Sequence, residues 1–201
     1  VTQLALTLPT TPVILRPRLR IAGIDISLTG TGIATTAGTT TITTKGKRAD
    51  SLVQRHHRFQ GITRHLFDEL GACDLAVVEA PAYGAPGGST WDRGGLWWLI
   101  IDGLLDREIP VALVSPRSRA KYAAGNGNAG KAAVMRAVQQ TYGVLTGDDN
   151  QSDALCLRAM GHDWAGQPLG SVPEVNRTAL LSCEWPDFTG PGVAWPERTA
   201  S

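Results

Sequence analysis

The stretch Leu19-Arg20-Ile21-Ala22-Gly23-Ile24-Asp25-Ile26-Ser27-Leu28-Thr29-Gly30-Thr31-Gly32 decides how this chain is read. Its first half is apolar and β-prone, yet an aspartate sits between Ile24 and Ile26. Burying a carboxylate in such a run is expensive unless its charge is compensated, and a metal ion is one common compensation. Around Asp25 the chain reads as three short strands: one carrying Ile21, Ile24 and Ile26, one over residues 32–36 and one over 39–44. Gly30, Gly32 and Gly38 read as the turns between them, giving an antiparallel meander in expectation.

Further along, Leu52, Phe59, Ile62, Leu66 and Leu70 recur at helical spacing, which predicts a helix over about 50–70. Asp50 or Ser51 can cap it and Gly71 ends it. Asp74-Leu75-Ala76-Val77-Val78-Glu79 is a short apolar run of the buried, parallel-strand type. After a Pro- and Gly-rich loop come a helix from Trp91 to Arg107 and a strand over 110–114. A short basic helix over 117–124 follows, then helices over 129–142 and 149–160. This order predicts an α/β fold, a mixed sheet with helices on its faces. Residues 1–17 read as an extended arm and 18–163 as the folded domain. Residues 164–201 read as a loosely structured C-terminal extension that packs on the body or on a partner.

A chain of 201 residues with 42% apolar content suits one well-cored domain. No apolar run is long enough to span a membrane, and the N-terminus lacks the pattern of a secretory signal. Three widely spaced cysteines argue against a disulfide framework or a zinc knuckle and suit a reducing cytoplasm. The net charge is only +1, but it is unevenly spread. Lys45 to Arg64 holds six Lys or Arg and one acid; Arg117 to Arg136 holds five and none. Such segregation suits a basic surface for a polyanion beside an acidic centre.

That centre draws on Asp25, on Glu79 at the end of a buried strand, and on Asp149 and Asp153. Four residues apart, the last two can share one helix face. Carboxylates converging from several elements are what a two-metal phosphoryl-transfer site needs, and magnesium takes oxygen ligands. His56, His57 and His65 match no metal-ligand spacing. Each acid also has a plainer reading, Asp149 as a helix cap among them.

Gly23-Ile24-Asp25-Ile26-Ser27-Leu28-Thr29-Gly30-Thr31-Gly32 resembles the first motif of the RuvC family of Holliday-junction resolvases. Val77-Val78-Glu79-Ala80-Pro81 resembles its second acidic motif. Ser115-Pro116 and the segment Lys121 to Lys131 resemble its basic segment, and Asp149-Asn150-Gln151-Ser152-Asp153-Ala154-Leu155 its terminal acidic helix. The match covers roughly residues 18–163 in the family's order, in a divergent style suggestive of a bacteriophage or actinobacterial version. The resemblance implies an RNase H-like fold, with a five-stranded sheet of three antiparallel and then parallel strands. It implies a homodimer that cuts four-way DNA junctions with a divalent metal; a two-metal mechanism, with two Mg²⁺ (or Mn²⁺) ions per site, would leave 5′-phosphate and 3′-hydroxyl ends. Asp25, Glu79 and Asp153 would be ligands. Where the family has an acid three residues before the last Asp, this chain has Asn150. Asp149 takes over that role, or Asn150 binds through its amide oxygen. Lys131 matches a family residue that stabilises charge on phosphate.

Lys121, Arg117, Arg119, Arg55 and Arg58 are the expected phosphate contacts, and Tyr83 a base-stacking residue just after Glu79. The apolar helix around Leu96, Trp97, Trp98, Ile100, Ile101 and Leu105 is the expected dimer face. Alternatives are a nuclease for flaps or forks, a non-catalytic DNA-binding module, and a sugar-kinase-like ATPase. The last would need nucleotide motifs and a second lobe that so short a chain lacks. Helicase or recombination partners are compatible with the resemblance.

Overall fold

The central strands are buried along nearly their whole length, as continuous apolar runs packed on both faces should be. β1 (Ile21–Asp25), β2 (Gly30–Thr35) and β3 (Gly38–Thr43) run antiparallel in sequence. β4 (Leu75–Glu79) and β5 (Val111–Val114) add in parallel on the other side of β1, giving the order β3-β2-β1-β4-β5. This computed structural model describes residues 18–81 and 90–187. The expected arm, Tyr83 and its loop, and the last 14 residues of the extension lie outside them.

The pleat sends Ala22 and Ile24 to one face and Ile21 to the other. On the first face lie α1 (Leu52–Leu70) and α2 (Thr90–Leu105). Helix α1 starts at a capping box, in which Ser51 and Gln54 each accept the other's backbone N–H. It buries Ile62, Leu66 and Leu70. Helix α2 buries Leu96, Trp97, Ile100, Ile101 and Leu104 in the same layer. On the opposite face lie α3 (Pro116–Ala124), α4 (Lys131–Tyr142) and α5 (Asp149–Trp164). The expected mixed five-stranded α/β architecture is the observed one.

Two glycines fix how closely α5 approaches. A Cβ on Gly23 would stand 2.0 Å from the Ala154 carbonyl oxygen, and one on Gly32 2.1 Å from that of Asn150. Only the absence of side chains on β1 and β2 lets the α5 backbone rest directly on the sheet. Gly32, which opens the expected second strand, lies inside β2 where close approach requires a glycine, whereas Gly30 and Gly38, expected as turns, begin β2 and β3.

The chain after α5 corrects a second expectation. Residues 165–187 are not loosely structured: α6 (Glu174–Arg177) and a 3₁₀ turn (Thr178–Ser182) pack on α3. Glu184 then bridges antiparallel to Leu113 of β5. Ala165 and Ala179 are buried, and Trp185 stacks on Trp164 with ring centres 4.7 Å apart. Asp163, 4% exposed, is held by Arg177 and by the Tyr122 hydroxyl at 3.0 Å. Among the described residues, no helix is long and apolar enough to cross a membrane.

Candidate active site

Strand register brings the first two acids together. Ile24 pairs with Val78, so Asp25 and Glu79 occupy the next positions at the C-terminal ends of adjacent parallel strands. Ligands gather at such strand ends in parallel sheets. The contact of α5 with Gly23 and Gly32 lays its first turns over that edge, carrying Asp149 and Asp153 to the same place. Asp148, not Asp149, is the N-cap: its side chain accepts from Gln151 N at 2.8 Å and from the Thr41 hydroxyl at 3.0 Å. Asp149 is thereby left available to the cluster. Asn150 sets its amide against Gly30 and its carbonyl against Gly32, on the sheet side of the helix.

The electrostatics report the crowding. Burial pushes the Asp25 carboxyl up to about 7, and the charges of Glu79, Asp153 and Asp149 push it the same way while Arg119 opposes. Burial likewise raises Asp153 to about 6, with Arg119 opposing and Glu79 adding to the rise. Asp149 is lowered by its hydrogen bond to Lys131, whose own pKa rises in return. Asp149 thus shares the field of Asp25.

Arg119 is the main departure from the sequence reading. Expected as a phosphate contact, it is only 9% exposed. Its Nε donates to Glu79 Oε2 and a terminal nitrogen donates to Asp153 Oδ1, tying β4 to α5 from α3. Burial alone would lower its pKa, but Glu79 and Asp153 hold it above the usual arginine value. Helix α3 is fixed in this orientation by Ser115, which accepts from Ser118 N at 3.0 Å, and by Pro116 in its first turn. Lys131 joins the site from the start of α4 by pairing with Asp149, while its side chain stays 76% exposed.

As arranged, these acids hold cationic side chains and do not fit the expected Mg²⁺ or Mn²⁺. Among the described residues, no group of three or more His, Cys, Asp or Glu is placed to hold a metal ion. The reason is visible in the pairing: Glu79 and Asp153 are tied to Arg119, and Asp149 to Lys131.

Around this centre the other expected contacts divide. Arg117 is exposed and, with Arg119, Lys131 and Asp153, lines a cleft of about 300 Å³. Lys121 is half-buried in the last turn of α3. Arg58 donates to the Thr44 hydroxyl at 2.9 Å and to the Leu28 carbonyl, bracing the loop after β1. Arg55 pairs with Asp92. Both nevertheless line a larger cleft of about 720 Å³ with Lys47, Arg48, Arg93 and Trp91. Trp91, 89% exposed at the start of α2, is the aromatic that sequence reading placed only as a helix boundary. Its exposure beside basic residues is a property of the tertiary arrangement.

No protein-family model and no curated protein sequence matches this chain. Solved structures do. The Thermus thermophilus RuvC structure aligns with a TM-score of 0.56 at 18% identity, covering 76% of this chain and 99% of that one. T. thermophilus RuvC in complex with a Holliday junction substrate aligns with a TM-score of 0.58 at 17% identity, covering 77% and 99%. The fold is RuvC-like, and the RNase H-like architecture expected from the motifs is the one present.

Proposed function

We propose that this protein is a structure-selective DNA endonuclease that hydrolyses phosphodiester bonds in branched DNA, four-way junctions above all. The observation that carries the reading is the convergence of Asp25, Glu79, Asp149 and Asp153 from two parallel strand ends and one helix. They converge on a fold shared with a protein solved on a Holliday junction. The acids form the reactive centre. Lys131 and Arg117 flank it at the smaller cleft and meet the phosphates of the strand to be cut. The larger cleft begins at Ser27 to Thr29, directly after Asp25, and offers Lys47, Arg48 and Arg93 to a backbone and Trp91 to an unpaired base. Products with 5′-phosphate and 3′-hydroxyl ends are expected.

A four-way junction has approximate two-fold symmetry, which a two-fold dimer matches. Helix α2 supports such a dimer: beneath its buried stripe it exposes Trp98, Leu99 and Leu105 at 64%, 48% and 57%. A second reading has its own observation. Acids already paired with Arg119 and Lys131 are compatible with a DNA-binding module that has kept the fold without catalysis. One preparation incubated with Mg²⁺ or Mn²⁺ and with junction, fork, flap and linear duplex separates these. Preferred nicking of the junction supports the proposal; preferred nicking of flap or fork moves the substrate; binding without nicking of any favours the module.

A further inference from the structure

Helix α3 is only nine residues long, yet it brings both arginines of the smaller cleft. On one side Arg119 ties it to Glu79 and Asp153. The motifs that resemble the RuvC family end within α5, and the chain that follows holds α3 from another side. Ser118 and Tyr122, four residues apart, share one helix face and are 7% and 2% exposed. At one end of that face the Ser118 hydroxyl lies 3.1 Å from the hydroxyl of Ser182, which donates to the Ala179 carbonyl at 2.9 Å. At the other end Asn176 Nδ2 donates to the Tyr122 carbonyl at 3.2 Å, and the Tyr122 hydroxyl donates to Asp163. Arg177 fastens α6 to the same carboxylate, through Nε at 2.9 Å and a terminal nitrogen at 2.7 Å. Resting on the reading of this cleft as the place where the cut strand lies, we infer that Asn176 and Ser182 are positioning residues. Through α3 they set Arg117 against a DNA phosphate and Arg119 against the acids.

The physical grounds are geometric. A helix this short takes its orientation from tertiary packing and not from its own hydrogen bonds. Successive side chains on a helix stand about 100° apart, so Arg117 and Arg119 flank the gripped face on either side of Ser118. A rotation of α3 about its axis therefore moves both arginines together. Rotation is opposed because it would leave buried polar groups of Ser118 and Asn176 without partners. Asn176 also fixes where α3 stops. Gly125 ends the helix at φ 75°, and a Cβ there would stand 3.1 Å from Asn176 Oδ1. Neither Asn176 nor Ser182 lines the cleft, so each acts on it through α3.

The test needs no cleavage. In metal-free buffer a labelled four-way junction is titrated with the full chain over a series of salt concentrations. The proteins are wild type, Asn176→Ala/Ser182→Ala, Arg117→Ala and the triple variant. Neither Asn176 nor Ser182 bears a charge, so a change in salt dependence must come from cations they position. Asn176→Ala/Ser182→Ala should lower the slope of log affinity against log salt by about one, the share of a single phosphate contact. Arg117→Ala should do the same, and the triple variant should fall no further than Arg117→Ala. In parallel the Arg119 Nε–H signal of ¹⁵N-labelled protein is followed without DNA. It should exchange with solvent at least about tenfold faster in Asn176→Ala/Ser182→Ala than in wild type. A folded variant with the wild-type slope overturns the inference, as does a triple variant in which the two losses add. Unchanged Nε–H exchange also overturns it. If the double variant does not fold, Ser182→Ala alone carries the same comparisons. A wild type that binds no branched DNA removes the proposed function, and the exchange measurement then decides alone whether the extension sets α3.

Discussion

Asp25→Asn should stabilise this protein in metal-free buffer, and the gain should depend on pH. The native carboxyl sits at about 7 because of burial and the neighbouring Glu79 and Asp153 charges, against an ordinary value of 3.8. The sign follows from linkage. A carboxyl whose native pKa is raised is best tolerated below its unfolded value, and stability is lost as pH rises toward the native one. At pH 8 both states are ionised, and a shift of about three units corresponds to about 4 kcal/mol of native-state penalty. Asparagine keeps the shape and removes the charge, so urea denaturation at pH 8 should show a gain approaching about 4 kcal/mol. At pH 4.5 the native carboxyl is protonated already, and the same comparison should give only about 1 kcal/mol. A variant no more stable than wild type at pH 8 refutes the crowding of acids at this edge. A gain equal at both pH values refutes charge as its origin.

Other expectations follow from the same geometry. Gly32→Ala drives a methyl into the Asn150 carbonyl; it should cost about 1–3 kcal/mol in chemical denaturation and impair cleavage, because α5 must lift with Asp149 and Asp153. Unchanged stability would mean that α5 does not rest on β2 as described. Trp91→Ala should leave stability within about 0.5 kcal/mol but weaken branched-DNA binding by about 1–3 kcal/mol in a fluorescence titration. Unaltered affinity would remove Trp91 from the DNA path.

Much of this architecture is legible in the chain because its signals are local. Asp25 in an apolar strand and Glu79 ending another mark two parallel strand ends, and helical spacing marks α1. What could not be read depends on partners far away in sequence. Arg119 lies on a nine-residue helix, too short for periodicity to say which face turns inward, and its burial is decided by carboxylates 40 and 34 residues away. A glycine such as Gly32 looks the same whether it makes a turn or admits a helix backbone; only the α5 contact distinguishes the two. Asp148 and Asp149 are adjacent acids at one helix start, and the Thr41 hydroxyl on β3 helps fix which of them caps. The order of residues 165–187 comes from the Trp164–Trp185 stack and the Leu113–Glu184 bridge, neither of which leaves a repeating pattern.

The most direct test of the central claim is junction cleavage by wild type and Asp25→Ala side by side, with junction binding measured on the same preparations. The account predicts that wild type nicks a synthetic four-way junction while the variant binds it with similar affinity and does not cut. Cleavage by Asp25→Ala at the wild-type rate would contradict it.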